Sequence, residues 1–236
     1  MVGFLRKSLS LAPILLCSIS SYGFDFVETF DGPISSSAWT VTGNSGYAVQ
    51  FTGGSGAFAK TNGVPDGSAT LSTNFSFDGD FAVSVDTDGR VDGALSEVLK
   101  VSWVNNTSFA QIYLESPQLT YQQLGTSGSA YNSNARQTNT RQVKFLIARV
   151  GTTVSLAVDR GAGGFETFMT GANAAYAGPV VAQLIAWDSD SGSNAGGTAY
   201  FDNMHIQAAA VPEPWTAALF SAGLLLICSR FRRGAA

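Results

Sequence analysis

The sequence predicts an all-β fold, a two-sheet antiparallel sandwich of the jelly-roll type, over residues 24–210. Three observations carry that expectation. Runs rich in Val, Phe, Tyr, Thr and Ile return every ten residues or so, the spacing at which sandwich strands recur. Gly, Ser, Thr, Asn and Asp fence those runs, and these are the residues that make turns. No heptad, no long 3.6-residue pattern and no repeat of fixed period interrupts the texture. The interval spans about 187 residues, enough for one domain with a sizeable core.

Each element follows from its local pattern. Phe26–Phe30 alternates apolar and polar residues, as a half-buried strand does. Trp39–Val41, Tyr47–Phe51 and Ala57–Lys60 come next, each fenced by Gly or Asn, followed by Ser68–Ser72. In Asp80–Thr87 the residues Phe81, Val83 and Val85 share one face. Glu97–Val104, Phe109–Leu114 and Gln118–Leu124 form a meander, and the polar stretch Gly125–Thr140 reads as a long exposed loop. Gln142–Val150 and Thr153–Asp159 make a hairpin about Gly151-Thr152, because glycine adopts the positive φ of a tight turn without steric cost. Gly164–Thr170, Val180–Trp187 and Thr198–Ile206 bring the count to about fourteen strands.

Both ends stand apart from this domain. Residues 1–23 place Arg6 and Lys7 ahead of the apolar run Leu9–Ile19 and then Ser20-Ser21-Tyr22-Gly23, the plan of a cleaved signal peptide with a short N-terminal helix. At the other end, residues 211–236 read Val211-Pro212-Glu213-Pro214-Trp215, then an apolar helix segment to Cys228, then Ser229-Arg230-Phe231-Arg232-Arg233. The prolines deny the helix an earlier start and keep the tripeptide extended. The apolar stretch is shorter than the roughly 20 residues that a bilayer core requires, so it suits transient insertion with Arg230, Arg232 and Arg233 as a cytoplasmic stop. This tail resembles the PEP-CTERM sorting signal of Gram-negative bacteria. The resemblance implies export across the inner membrane, recognition of Pro212, Glu213 and Pro214, processing by an exosortase, and a cell-surface or extracellular destination.

Setting the ends aside sharpens the composition. Cys17 and Cys228 both lie in them, so the domain relies on its own core without disulfides. Five of the thirteen Lys and Arg residues leave with the ends but only one of the seventeen acids, so the remainder carries a net charge near −8. That balance disfavours nucleic acid and anionic lipid as partners.

The strand order also resembles the concanavalin A-like lectin/glucanase sandwiches. The residues that carry this are Phe30-Asp31-Gly32 after the first strand, Asn74–Phe81 leading into a central strand, and Tyr200-Phe201-Asp202-Asn203 opening the last. The resemblance implies that the last strand pairs beside the first. A glucanase of this type would be expected to resemble its relatives in an E-x-D-x-E or E-x-D-x-x-E strand, giving the two carboxylates of a retaining glycosidase. The glutamates ahead of the tail are Glu28, Glu97, Glu115 and Glu166, and none has an acid two positions away. His205 stands alone in the last strand as a structural histidine, and Gly53-Gly54-Ser55-Gly56 lacks the helix of a phosphate loop.

Two weaker sites remain. Asp188, Asp190 and Asn194 alternate oxygen ligands around a turn, as a loop wrapping Ca²⁺ does, and Asp86–Asp92 offers a poorer version. Sugar sites stack pyranose faces on exposed aromatics with amides and acids at the edge. Trp187 at the mouth of the Asp188–Asn194 loop, with Tyr121 and Tyr131, supplies the candidates; Tyr113 is also available, whereas Trp103 reads as core. The sequence therefore favours a non-enzymatic, exosortase-processed surface or matrix protein associated with exopolysaccharide or biofilm. The alternatives are a lectin-like carbohydrate binder, with calcium as its one candidate cofactor, and a glycoside hydrolase.

Overall fold

Alternation of apolar and polar residues becomes fifteen strands in a computed structural model. It describes residues 23–209 apart from 52–53, 62, 88–94, 117–118, 127–131, 138–142, 162–163 and 189–195. The expected signal peptide and sorting tail, with Pro212, Glu213, Pro214, Arg230, Arg232 and Arg233, lie outside the described residues.

The strands are β1 (Phe24–Glu28), β2 (Trp39–Gly43), β3 (Tyr47–Phe51), β4 (Gly56–Lys60), β5 (Ser68–Thr73), β6 (Phe81–Thr87), β7 (Leu95–Trp103) and β8 (Phe109–Ser116). They continue as β9 (Leu119–Gly125), β10 (Asn132–Gln137), β11 (Val143–Val150), β12 (Thr153–Asp159), β13 (Glu166–Ala172), β14 (Val180–Asp188) and β15 (Gly197–Ala208). The first sheet runs β13-β12-β11-β6-β15-β4-β3, with β1 also on β15, and the second runs β10-β9-β8-β7-β14-β5-β2. Every pairing between these strands is antiparallel. The closing strand lies beside the first, with Phe26 opposite Ile206. Among the described residues the helical content is a 3-10 turn at Ala174–Tyr176, and no helix is long and apolar enough to cross a membrane.

Two expectations are corrected. The stretch Gly125–Thr140 is not one long loop, because Asn132–Gln137 pairs along β9 as the edge strand β10. The first strand ends at Glu28, not Phe30, because Phe30 adopts a left-handed backbone (φ 54°). Its ring is fully buried against Trp39 and Phe51, and its N–H donates to Glu28 Oε1 at 3.1 Å, which holds the turn in place. The expected turn at Gly151 is present with φ 61°.

The core is the space between the sheets. Phe58, Phe145, Ile147, Leu156 and Phe201 come from the first sheet and Leu71, Leu99, Ile112, Leu114 and Leu184 from the second, all fully buried. Each such side chain contributes about 1.5–3 kcal/mol by leaving water. Trp103 is core, as expected.

Charged groups also enter this interior, each with partners. Arg149 of β11 is 2% exposed and ties three segments together. It donates from Nε to Gly79 O (2.8 Å), from Nη1 to Tyr176 O (2.9 Å) and Gly178 O (2.7 Å), and from Nη2 to Asp78 Oδ1 (2.8 Å). Its guanidinium also covers the Phe81 ring at 4.8 Å. Removing such a donor set leaves buried carbonyls unpaired, so Arg149→Met should lower the unfolding free energy by about 3–5 kcal/mol in urea titrations. A loss below about 1 kcal/mol would show that the end of the sandwich closes without it.

Candidate functional site

Period-two alternation decides which residues reach the outer face of the second sheet. On β7 the residues Leu95, Leu99, Val101 and Trp103 join the inter-sheet core, so Ser96, Val98, Lys100 and Ser102 point outward. Register carries that parity to the neighbours. Val98 lies opposite Tyr113 on β8, Tyr113 opposite Tyr121 on β9, and Ser96 opposite Trp187 on β14.

The result is an aromatic row. Tyr121 and Tyr113 stack with ring centroids 5.0 Å apart and planes 8° from parallel. Tyr113 meets Trp187 at 5.1 Å and 59°. β8 and β14 are separated by β7, so their backbones stand about 9–10 Å apart and the two rings lean toward each other over it. That is why Ser96 and Val98 are fully covered although they face outward.

A second row runs alongside, entirely polar. Gln123, Gln111, Lys100, Gln183, Ser72 and Thr40 are successive register partners across six strands. Gln111 Nε2 donates to Gln123 Oε1 at 2.7 Å, and Gln123 Nε2 to Tyr113 Oη at 3.3 Å. Gln183 accepts from Ser102 Oγ at 2.9 Å and donates to Ser72 Oγ at 3.1 Å. Lys100 sits mid-row between Gln111 and Gln183, its ammonium 5.1 Å from the Phe109 ring. Burial holds that ammonium below its usual pKa.

The structure thus brings Trp187 and Tyr121 together through Tyr113; Tyr131 lies outside the described residues. Tyr113 was one aromatic among several in the sequence. The amide row went unnoticed, although Gln111/Tyr113, Tyr121/Gln123 and Gln183/Trp187 are all spaced at even intervals on their strands.

Of the three expected calcium ligands, Asp188 alone is among the described residues, and its placement corrects the expectation for that residue. Asp188 points between the sheets, where its carboxylate pairs with Lys60 Nζ and neither side chain is exposed. The same contact holds Lys60 above its usual pKa, first through the hydrogen bond to Asp188. A carboxylate committed there cannot also wrap a surface ion. Asp190 and Asn194 lie outside the described residues, and among the described residues no group of three His, Cys, Asp or Glu is placed to hold a metal.

Carboxylates meet elsewhere, in a cleft of about 460 Å³ on the outer face of the first sheet. Asp86 on β6 and Asp202 on β15 are register partners, and Lys144 Nζ lies 2.9 Å from Asp86 Oδ1. Asn203, in a left-handed conformation at a bulge, donates from Nδ2 to Asp86 Oδ2 at 3.2 Å and from its backbone to Asp202 Oδ1 at 2.7 Å. Burial, then the nearby charges of Asp86 and Asp31, raise the Asp202 pKa, against the backbone N–H of Asn203, which lowers it. His205 is on this face too, with Nε2 2.5 Å from Asp25 Oδ1. Glu97 points the other way, into the core, accepting from the Tyr200 N–H at 2.9 Å.

No protein-family model matches the chain, and no curated protein is similar to it in sequence. Solved structures are similar in fold. The endo-β-1,3-glucanase of Pyrococcus furiosus superposes with TM-score 0.64 at 11% identity, over 78% of this chain and 94% of that one. The laminarinase catalytic domain of Thermotoga maritima gives 0.64 at 13% identity, over 79% and 98%. A non-specific endo-β-1,3(4)-glucanase from family GH16 gives 0.66 at 10% identity, over 81% and 92%. Identities this low establish a shared fold. The expectation of a non-enzymatic protein is corrected against this finding: the solved structures named here as sharing the sandwich are two glucanases and a laminarinase.

The raised pKa of Asp202 has a stability consequence. As pH rises past about 3.9 the unfolded chain ionises this carboxyl first, so folded stability is full below that point and falls until the folded pKa is passed. Asp202→Asn keeps the acceptor for the Asn203 N–H but cannot ionise. Wild type and variant should melt at similar temperatures near pH 3.5, with the variant the higher melting of the two at pH 7. A gap of the opposite sign, or none at any pH, would show that Asp202 ionises without penalty.

Proposed function

We propose that the chain is a carbohydrate-active domain that holds a polysaccharide across the outer face of the second sheet. The observation that carries this is the pairing of two rows on one face: the rings of Tyr121, Tyr113 and Trp187, and beside them the amides of Gln123, Gln111 and Gln183. Tyr121 and Trp187, half-buried, offer apolar ring surface to pyranose faces with Tyr113 buried between them as a brace, and the half-buried amides of Gln123 and Gln183 both donate to and accept from hydroxyls. Both rows cross the strands, so a polymer lying over them meets the same chemistry along its length. The glucanase-type sandwich beneath supports the substrate class by analogy of fold.

A second reading is cleavage of a glycosidic bond in the cleft on the outer face of the first sheet, on the side of the sandwich opposite the aromatic row. It is favoured by the Asp86–Asp202 pair, since register partners on antiparallel strands hold their Cβ atoms about 4.5–5.5 Å apart. Retaining glycosidases use two carboxyls about 5–5.5 Å apart, one protonated and one ionised. Here Asp202 keeps its proton to higher pH, and Lys144 Nζ lies 2.9 Å from Asp86 Oδ1.

Export and sorting form the rest of the proposal. The Pro212-Glu213-Pro214 tail supports delivery to the cell surface through an exosortase, with the domain meeting polysaccharide outside the inner membrane. Intact-mass analysis of the protein recovered from cells should then show residues beyond the tripeptide removed, and a full-length chain would contradict processing.

Affinity electrophoresis in gels cast with soluble polysaccharides tests the main reading. Trp187→Ala should lower affinity by about tenfold or more, the scale of one lost stacking contact with its associated burial, with little change in melting temperature. Unchanged mobility of the variant in a gel that retards the wild type would remove the outer face as the site. Release of reducing ends, lost about a hundredfold or more in Asp202→Asn with binding intact, tests the second reading.

A further inference from the structure

We propose that the polymer bound on this face is anionic, a polysaccharide bearing carboxylate or sulfate groups, and that Lys100 receives one of them. This rests on the polymer-binding reading above and narrows it to a substrate class.

Among the described side chains of the outer face, Lys100 is the one charge. Its register neighbours are amides, Gln111 on one side and Gln183 on the other, and its ammonium lies 5.1 Å from the centre of the Phe109 ring. No described carboxylate pairs with it, unlike Lys60, Lys144, Arg149 and Arg160, which meet Asp188, Asp86, Asp78 and Glu166. The flanking amides bond to their neighbours and carry no charge: Gln111 donates to Gln123, and Gln183 donates to Ser72 and accepts from Ser102. They therefore frame the ammonium without neutralising it. Burial lowers its pKa with no opposing charge, so the free protein carries a desolvation cost that an incoming anion would relieve.

A neutral glucan would bring no charge to offset that cost. Its hydroxyls could hydrogen-bond to the ammonium, but an amide there would serve as well and would cost less to bury. The acidic balance of the whole domain, near −8, makes the inference sharper. General electrostatics repel an anionic polymer, so any preference for one must arise locally, at a cation placed on the binding face.

The experiment is affinity electrophoresis or calorimetry of the full chain against polygalacturonate, dextran sulfate and laminarin, in wild type, Lys100→Met, Lys100→Arg and Trp187→Ala. The expected result is that at least one anionic polymer binds more tightly than laminarin and that its binding weakens as salt is added. Lys100→Met, which keeps the apolar stem, should lose about ten- to a hundredfold in affinity for that polymer, with Lys100→Arg recovering most of it. Whichever of polygalacturonate or dextran sulfate binds names the anionic group. Laminarin bound as tightly as either anionic polymer, or full affinity in Lys100→Met, overturns the inference; if Trp187→Ala still abolishes that binding, the polymer-binding reading stands. Binding of none of the three polymers overturns both. Should Lys100→Met fail to fold, an affinity indifferent to salt in the wild type overturns the inference instead.

Discussion

A buried arginine closes one end of this sandwich, and the two sheets depend on it for their mutual position. Arg149 belongs to β11 in the first sheet, yet its guanidinium reaches the link between β5 and β6 at Asp78 and Gly79 and the link leading into β14 at Tyr176 and Gly178. Those links join strands of different sheets. Hydrophobic contact between sheets is non-directional and tolerates sliding; planar N–H donors aimed at three fixed carbonyls and the Asp78 carboxylate do not. Lys60–Asp188 supplies a second such tie, and Glu97 to the Tyr200 N–H a third, both joining β7 or β14 to the opposite sheet.

Much of the fold was legible because a sandwich strand leaves a period-two mark that survives without any knowledge of its partner. Tyr47–Phe51 and Thr153–Asp159 begin and end where their patterns do. β10 left no such mark. Asn132–Gln137 reads NSNARQ, with no β-branched or aromatic residue, since an edge strand paired on one side can be held by backbone hydrogen bonds alone. The end of β1 was illegible for a different reason. Phe30 has every local preference for a strand, and only the burial of its ring against Trp39 and Phe51 selects the left-handed backbone.

The site was legible by residue type more than by place. Trp187 and Tyr121 declared themselves as aromatics beside polar stretches. What no reading of one strand could supply was the register that sets Tyr121 on Tyr113 and leans Tyr113 toward Trp187. Charges misled in the same way. Asp188 belongs to an acidic run that suggests a calcium loop, but its parity on β14 turns it inward to Lys60. Glu97 and Lys100 stand three apart on one strand and so face opposite ways, one serving the core and the other the surface.

That division of labour along β7 links stability to recognition. The inward residues of this strand are anchored by core packing and by Glu97, so its outward residues are held where the backbone puts them. On either side the amides are chained to hydroxyls and to each other, which removes rotamer freedom that a ligand would otherwise have to quench. Trp187 and Tyr113 are braced against one another over the small side chains Ser96 and Val98, and a bulkier residue at either position would force the rings apart. The flat face is therefore preorganised by what lies beneath it. The buried ties across the sandwich keep β7 and β14 fixed against the first sheet, and through them they fix the spacing of the rings and of the lone ammonium between the amides.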